Sequence, residues 1–418
     1  MQYIKTPMKG MPEQLPADMQ LREYLLGKIK ATYGSYGFSL IETPAIEHIE
    51  NLTSRQGGEN EKLIFKILKR GEKLAAALRS GDEKQLSDMG LRYDLTVPLS
   101  RFYANNMAQL PVPFKAMQIG NVWRADRPQR GRFRQFTQCD IDILGEGSFL
   151  AEIELISATA SMLAQLEFSN FKVKVNDRRI LKAMAACCGF AEENYDDIFI
   201  ILDKIDKIGL DGVKAELLGA GYDSSSVERY CAFFENLGKG MSCTEFCADR
   251  LDGFLDPAVL SDLEYIINCA RATAVGEMQI VFDPTLVRGM SYYTGPIFEI
   301  ELPDFGSSVA GGGRYDEMIG KYTNAKVPAC GFSIGFERII TLLKERGYRI
   351  PDQKKRTALL IDKKIGREEL LGALQRAAQL RAGGETALIV YRAKNIRHQK
   401  ETLEKEGYTE FLELPEKD

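Results

Sequence analysis

The stretch Arg124-Ala125-Asp126-Arg127-Pro128-Gln129-Arg130-Gly131-Arg132-Phe133-Arg134 runs directly into Gln135-Phe136-Thr137-Gln138-Cys139-Asp140-Ile141-Asp142-Ile143-Leu144. From Gln135 on, the chain alternates. Gln138, Asp140 and Asp142 fall on one face, and Cys139, Ile141 and Ile143 on the other. A period of two is the signature of a half-buried strand. Phe114 to Arg124 reads as a second strand, and residues 125–134 are polar, so the pair is expected to form an antiparallel hairpin with a long loop. That loop region holds five arginines in eleven residues. Guanidinium is planar, permanently charged and bidentate toward phosphate. So dense a cluster repels itself unless it meets a polyanion, which points to a polyphosphate or a nucleic-acid end. A solvated basic loop is the competing reading. Gln138, Asp140 and Asp142 beside the arginines favour a site.

The 418 residues carry 55 Lys+Arg against 59 Asp+Glu, a net charge of −4, with 44% hydrophobic residues. Such a balance is ordinary for a globular chain of two to four domains and excludes disorder as the main state. No run approaches the ~18 apolar residues of a spanning helix, and Met1-Gln2-Tyr3-Ile4-Lys5 has no apolar signal core. No membrane partner is expected. The mildly acidic total argues against a DNA-coating protein. Eight scattered cysteines without a CxxC pair, and only two histidines (His48, His398), argue against a zinc site and point to reduced cytoplasmic thiols. The same scarcity removes most Ser-His and Cys-His chemistry. Arg, carboxylates, Tyr and a metal ion remain.

Working outward, residues 17–36 read as an amphipathic helix, followed by the strand Phe38-Ser39-Leu40-Ile41 and Pro44. A polar stretch at 54–62 reads as a surface loop. In Leu91-Arg92-Tyr93-Asp94-Leu95-Thr96-Val97-Pro98, Asp94 and Thr96 share one side of an extended segment and could hold an ammonium group; Thr96 could equally be a helix N-cap. A helix is expected over 148–166, a strand at 171–175 and an all-helical block over 178–270, read as an inserted domain. Strands return at 278–282 and 297–302. Gly311-Gly312-Gly313 is expected to be a turn before a helix from 314. The strand at 329–334 runs into a helix carrying Arg338 in its first turn, an anion-binding position. Leu286-Val287-Arg288-Gly289-Met290-Ser291-Tyr292-Tyr293-Thr294-Gly295 places one arginine and a tyrosine pair between glycines. After a linker near 350–356, five alternating elements suggest a small α/β domain; residues 354–400 hold 12 Lys/Arg against 4 Asp/Glu.

Together these segments resemble the class II aminoacyl-tRNA synthetases, and specifically the histidyl-tRNA synthetase family, over roughly residues 8–345. The helix and strand ending at Pro44 are similar to motif 1, Arg124 through Asp142 to motif 2, and Gly331–Arg338 to motif 3. Leu286–Gly295 and Ser307–Asp316 look like the two histidine-specific motifs. The resemblance implies an α+β fold: a discontinuous catalytic domain (1–177 and 271–347) with an antiparallel sheet flanked by helices, a helical insertion (178–270), and a shortened α/β domain (354–418) like an anticodon-binding domain. It implies ATP and Mg2+, histidine and tRNA(His) as substrates and partners, a homodimer and a cytoplasmic setting. Arg124 would hold the α-phosphate. Arg132 and Arg134 would lie near ATP and the tRNA acceptor end. Arg338 would bind toward the γ-phosphate, and Arg288 would meet the α-phosphate and the histidine carboxylate. Asp94, Thr96 and Gln138 would hold the amino and carboxylate groups. Tyr293 and Asp142, with Tyr292 beside them, would reach the imidazole.

The chain departs from the family pattern at Asp142, which stands in place of Glu and is one methylene shorter. The imidazole contact then calls for a water or a shifted strand. Ser291 replaces an Asp of many relatives. About 65 residues follow the linker, which weakens the expectation of sequence-specific anticodon reading, while the basic excess suits RNA backbone contact. Two alternatives compete with an ATP-dependent histidine–tRNA ligase. One is a regulatory subunit of ATP phosphoribosyltransferase, which binds histidine without ligating it. The other is a paralogue that delivers an activated amino acid to another acceptor. The arginine loop and Arg338 favour the ligase.

Overall fold

The computed structural model describes residues 3–53, 60–235, 240–274, 278–289, 292–351 and 354–414; the side chains of 60, 61, 248 and 249 lie outside the description. Most of the expected 54–62 loop, and Ser291, therefore fall outside the described residues. The chain packs as two compact units, Met1–Pro12 with Lys28–Leu342, and Glu13–Gly27 with Leu343–Asp418.

In chain order the strands of the first unit are β1 (Ser39–Ile41), β2 (Ile46–His48), β3 (Lys66–Leu68), β4 (Ser87–Leu91), β5 (Phe114–Trp123), β6 (Gln135–Leu144), β7 (Phe171–Asp177), β8 (Met278–Phe282), β9 (Pro296–Leu302), β10 (Ser307–Arg314) and β11 (Ala329–Gly335). Eight of them form one sheet in the order β1-β5-β6-β11-β10-β9-β7-β8. Its central pairs are antiparallel, as expected, but the outer pairs β1–β5 and β7–β8 are parallel, so the sheet is mixed. Strands β2, β4 and β3 make a small separate sheet. The alternation of β6 holds: Cys139, Ile141 and Ile143 are sealed in the core. The helix Leu150–Ala164, buried nearly all round through Leu155, Ile156, Met162 and Leu163, packs on this unit's sheet at β11.

Parallel neighbours need a long crossover, and between β7 and β8 that crossover is the helical block. It contains Arg178–Cys187, Tyr195–Leu202, Ile205–Gly219, Ser224–Ala232, Cys243–Cys247 and Pro257–Ala272. Asp177, Asp223 and Asp256 cap three of these helices by accepting from backbone N–H groups two or three residues on, satisfying donors that a helix start leaves free. The block has its own aromatic core, where Phe190 meets Tyr230 edge to face at 5.7 Å.

Two expectations are corrected. Gly311-Gly312-Gly313 is not a turn before a helix. It is the middle of β10, hydrogen-bonded on both sides, and the next helix is the short Gly320–Thr323. The reason is crowding: a Cβ on Gly312 would stand 2.0 Å from the Gly331 carbonyl oxygen. Thr96 is not the N-cap of the helix Thr96–Asn106. It is the first helical residue, and the Asp94 carboxylate takes the Val97 N–H at 3.1 Å.

In the second unit β12 (Arg356–Ile361), β13 (Thr386–Tyr391) and β14 (Glu410–Leu414) form an all-parallel sheet in the order β13-β12-β14, with the helices Arg367–Ala382 and Ile396–Lys405 between them in sequence. The central strand is covered on both faces. Ala358 and Leu360 pack with Leu403 and Tyr408, while Leu359 packs with Ala377 and Ala387. A parallel strand buried on both sides reads as a continuous apolar run, as Ala358-Leu359-Leu360-Ile361 does.

Candidate active site

Residues paired across a sheet share a face, so the register assembles the site. Asp140 of β6 lies between Gln118 of β5 and Ser333 of β11, and Ser333 lies opposite Gly311, which lies opposite Glu299 of β9. One step along, Asp142 lies opposite Gly331, and Gly331 opposite Gly313. One step the other way, Gln138 lies opposite Gly335. Carboxylates and amides thus come from β5, β6 and β9. The strands between them contribute glycines, whose missing side chains leave a trough.

Two glycines make specific room. A Cβ on Gly331 would stand 2.0 Å from Asp142 Oδ1. A Cβ on Gly311 would stand 2.3 Å from Arg288 Nη1 and 2.4 Å from its Cζ, so the guanidinium lies flat on the β10 backbone. Arg288 Nη1 donates to Glu299 Oε2 at 2.6 Å. That carboxylate outweighs the cost of burial and holds the guanidinium protonated.

The hairpin loop closes on a tight turn in which Gln129 and Arg132 exchange backbone hydrogen bonds of 3.0 and 2.9 Å. Arg124 donates through Nε to the Tyr93 carbonyl at 2.9 Å and lies over the Phe136 ring. Arg338, third residue of the helix Phe336–Glu345, donates to the Ser308 carbonyl. Burial lowers the Arg338 pKa, and the nearby charges of Arg132, Arg288 and Arg124 lower it further. Four guanidinium groups from three segments, the hairpin loop (Arg124 and Arg132), the loop of Arg288 and the helix of Arg338, therefore converge, and like charges gathered this way favour a bound polyanion. Arg132 is exposed, with Asp126 at 3.9 Å. Arg134 is not brought to the cluster: its Nε donates to the Asp126 carbonyl at 3.1 Å and its stem lies under Gly10. Phe305, in the turn between β9 and β10, has Arg130 at 4.6 Å and Arg338 at 5.9 Å from its ring centroid.

Beside the arginines lies an acidic and aromatic pocket. Tyr315 donates to Asp142 Oδ1 at 2.6 Å. Its ring meets Tyr292 edge to face at 5.9 Å, and Tyr292 lies 4.7 Å from Tyr293. Thr96 and Asp94 both bear on the Tyr292 hydroxyl. Gln138 Nε2 donates to Ser333 Oγ at 3.0 Å. Asp94 Oδ2, Gln138 Oε1, Asp140 Oδ1, Asp142 Oδ2 and Arg288 Nε are all buried without a partner. Buried polar groups are normally satisfied, so five open positions in one trough describe the outline of a polar ligand with both donors and acceptors.

Apart from Arg134, the expected residues come together. Sequence reasoning placed Asp140 on the site face without a role of its own, and left out Glu299 and Tyr315. Asp140 shares the alternation of Gln138 and Asp142. Tyr315 lies inside the segment Ser307–Asp316 already singled out. Glu299 had only the alternation of β9 to mark it.

Burial pushes Asp94 up to about 6 and Asp142 up to about 7, and it raises Asp140 well above the carboxylate range with help from the Asp142 charge. The linkage has a definite sign. Below about pH 4 these groups are protonated in both folded and unfolded chains. Between pH 4 and 7 the unfolded chain releases protons that the folded chain keeps, so their share of stability is lost as pH rises through the folded pKa. Relative to wild type, Asp142→Asn is therefore expected to gain melting temperature between pH 5 and pH 8. A difference that stays flat over that window, in paired thermal melts, contradicts the assignment.

The comparisons agree with this geometry. A family model described as histidyl-tRNA synthetase matches residues 10–339. A histidine–tRNA ligase of Leifsonia xyli subsp. xyli is 45% identical, over 97% of this chain and 94% of that relative. One from Aeropyrum pernix is 38% identical, over 83% and 76%. Among solved structures, histidyl-tRNA synthetase from Nostoc sp. PCC 7120 aligns with a TM-score of 0.75 at 27% identity, covering 97% of this chain and 90% of that one. A Bacillus halodurans protein described as an ATP phosphoribosyltransferase regulatory subunit/histidyl-tRNA synthetase aligns with a TM-score of 0.77 at 21% identity, which speaks to the fold alone. With the matched region spanning both the arginine loop and the tyrosine pocket, the chain belongs to the histidyl-tRNA synthetase family.

Proposed function

We propose that the protein is an ATP-dependent histidine–tRNA ligase. The observation that carries this reading is the trough in which four converging arginines adjoin a pocket of unpartnered carboxylate and amide groups. A regulator that only bound histidine would have no use for the arginines.

In the first step a histidine carboxylate oxygen forms a bond to the α-phosphorus of ATP, the bond to the bridging oxygen breaks, and pyrophosphate leaves with its electrons. Two anions must be aligned and the crowded phosphoryl group stabilised, which fixed cations achieve without a protein nucleophile. Arg288, pinned by Gly311 and Glu299, is the cation between carboxylate and phosphate; Arg124 holds the α-phosphate from the hairpin side, and Arg338 and Arg132 hold the leaving pyrophosphate. In the second step a terminal ribose hydroxyl of tRNA(His) attacks the acyl carbon and AMP leaves. Asp142 Oδ2, with Oδ1 fixed by Tyr315, accepts from the imidazole, and Tyr293 faces it with Tyr292 behind. A site that hydrogen-bonds both ring nitrogens rejects apolar isosteres, because its own polar groups would be left unpaired.

Mg2+ enters this reading with the nucleotide. The carboxylates at the phosphate end are engaged, Glu299 by Arg288 and Glu337 by the Thr137 N–H. Among the described residues no group of three carboxylate, imidazole or thiol side chains is placed to ligate a metal. A Mg2+ carried by the nucleotide's phosphates would call on no more than one or two carboxylates of the protein. In the same reading the helical block 178–270 is an inserted domain, and 354–418 is a domain whose basic part, 354–400, contacts tRNA backbone. The protein works in the cytoplasm as a homodimer. Exposed Leu40 on edge strand β1 and exposed Ile46 at the start of β2 supply apolar surface for the dimer contact. Among the described residues no helix is long and apolar enough to cross a membrane.

The test is ATP–pyrophosphate exchange across all common amino acids, followed by charging of tRNA. Exchange with histidine alone, and charging of tRNA(His), is the expected result. Histidine binding without exchange would sink the ligase reading. Phe305 supplies a further expectation: losing two cation–π contacts frees both the loop and Arg338. Phe305→Ala should raise KM for ATP by about fivefold to tenfold and leave KM for histidine unchanged, with Phe305→Tyr near wild type. Equal shifts in both KM values would make Phe305 a general packing residue.

A further inference from the structure

We propose that Asp140 is a direct ligand of the substrate's α-ammonium group, completing with Asp94 and Gln138 a set of three acceptors. The inference rests on the histidine-activating reading above and assigns a residue that the family resemblance left without a role.

The hydrogen-bond directions single it out. Gln138 gives its Nε2 proton to Ser333 Oγ, and Ser333 lies directly opposite Asp140 in the register of β11 and β6. That bond uses the amide donor, and two acceptors on the same face stay bare, Gln138 Oε1 and Asp140 Oδ1. Asp94 is the third: Oδ1 is taken by the Val97 N–H, and Oδ2 has no partner. An ammonium group has three N–H donors and no acceptor, so three buried bare acceptors match it in number and in sign. Thr96 is a weaker candidate, because its hydroxyl bonds Tyr292.

Position agrees. Along β6, Asp140 is midway between Asp142, which faces the imidazole, and Gln138. Residues two apart on a strand are separated by roughly 6.5 Å. Across the sheet Asp140 shares a row with Gly311, on which Arg288 lies. A histidine whose ring reaches Asp142 and whose carboxylate reaches Arg288 therefore sets its α-carbon, with the ammonium, over Asp140. Charge agrees too: Asp140 is buried beside the carboxylates of Asp142 and Asp94, with Arg124 as a nearby cation, and the ammonium adds a second positive charge to this acidic end.

The test is calorimetric binding to the full-length protein of L-histidine, L-histidinol (ammonium without carboxylate) and imidazole-4-propionate (carboxylate without ammonium). Asp140→Asn should weaken histidine and histidinol by about tenfold or more, the range for a charge-assisted hydrogen bond, and leave imidazole-4-propionate unchanged or tighter. The ratio between ligands in one sample does not depend on the folded fraction, and Asp140→Ser provides the same ratio if the Asn variant fails to fold. Equal loss for all three ligands, or no loss for histidinol, overturns the role of Asp140 and leaves the ligase reading standing. A wild-type protein that binds neither histidine nor histidinol overturns that reading, and this proposal with it.

Discussion

Arg288→Ala is expected to lower histidine-dependent pyrophosphate exchange by about a hundredfold to a thousandfold, the usual loss when a preorganised donor to a phosphoryl or oxyanion transition state is removed. Histidine itself should still bind, weakened by about tenfold or less, because the ammonium and imidazole contacts remain. The contrast follows from geometry. Arg288 is the residue of the site that is held from below by Gly311 and from the side by Glu299, with Nε left open. Its charge is thus fixed before substrate arrives and needs no reorganisation when charge builds up at phosphorus. Single-turnover adenylate formation, measured beside equilibrium histidine binding, separates the two effects. Wild-type turnover in the variant would remove Arg288 from the mechanism.

The second large effect comes from a residue that touches no substrate. Gly311→Ala adds one methyl group 2.3 Å from Arg288 Nη1, far inside any real contact distance. The β10 backbone is held on both sides by β9 and β11, so the guanidinium is what moves. The variant is expected to fold, since the clash is with the end of a flexible side chain, and to lose exchange activity by about a hundredfold. Arg288→Ala combined with Gly311→Ala should be no slower than Arg288→Ala alone, because both act through one group. Losses that multiply in the double variant would mean that Gly311 serves the fold independently of Arg288.

Much of the hairpin was legible because its signal is local. The alternation from Gln135 to Leu144 gives the strand bounds that the structure shows, and with them the face that carries Gln138, Asp140 and Asp142. The helices at Pro16–Ser35 and Leu150–Ala164 and the five elements after residue 355 were legible for the same reason. The glycine triplet was not. Three glycines in a row carry turn propensity, and the competing cause, the carbonyl of Gly331 and the guanidinium of Arg288 pressing on β10, comes from residues far away along the chain. The cap at residue 96 failed more narrowly: Asp94 and Thr96 are both good caps, and which one acts depends on where the chain turns into the helix.

The sequence by itself determined which chemistry was available: arginines, buried carboxylates and tyrosines, almost no histidine, and the strand that puts three polar side chains in line. Tertiary structure decided which of those groups meet. Arg134 lies in the same loop as Arg132 and donates to the carbonyl of Asp126 across that loop, while Arg288 and Arg338 arrive from more than 150 residues away. Glu299, Tyr315 and Ser333 acquire roles only through the register of β9, β10 and β11 against β6. Periodicity specifies the face of each strand, but cross-strand register is set by packing over the whole sheet, and the site is made of that register.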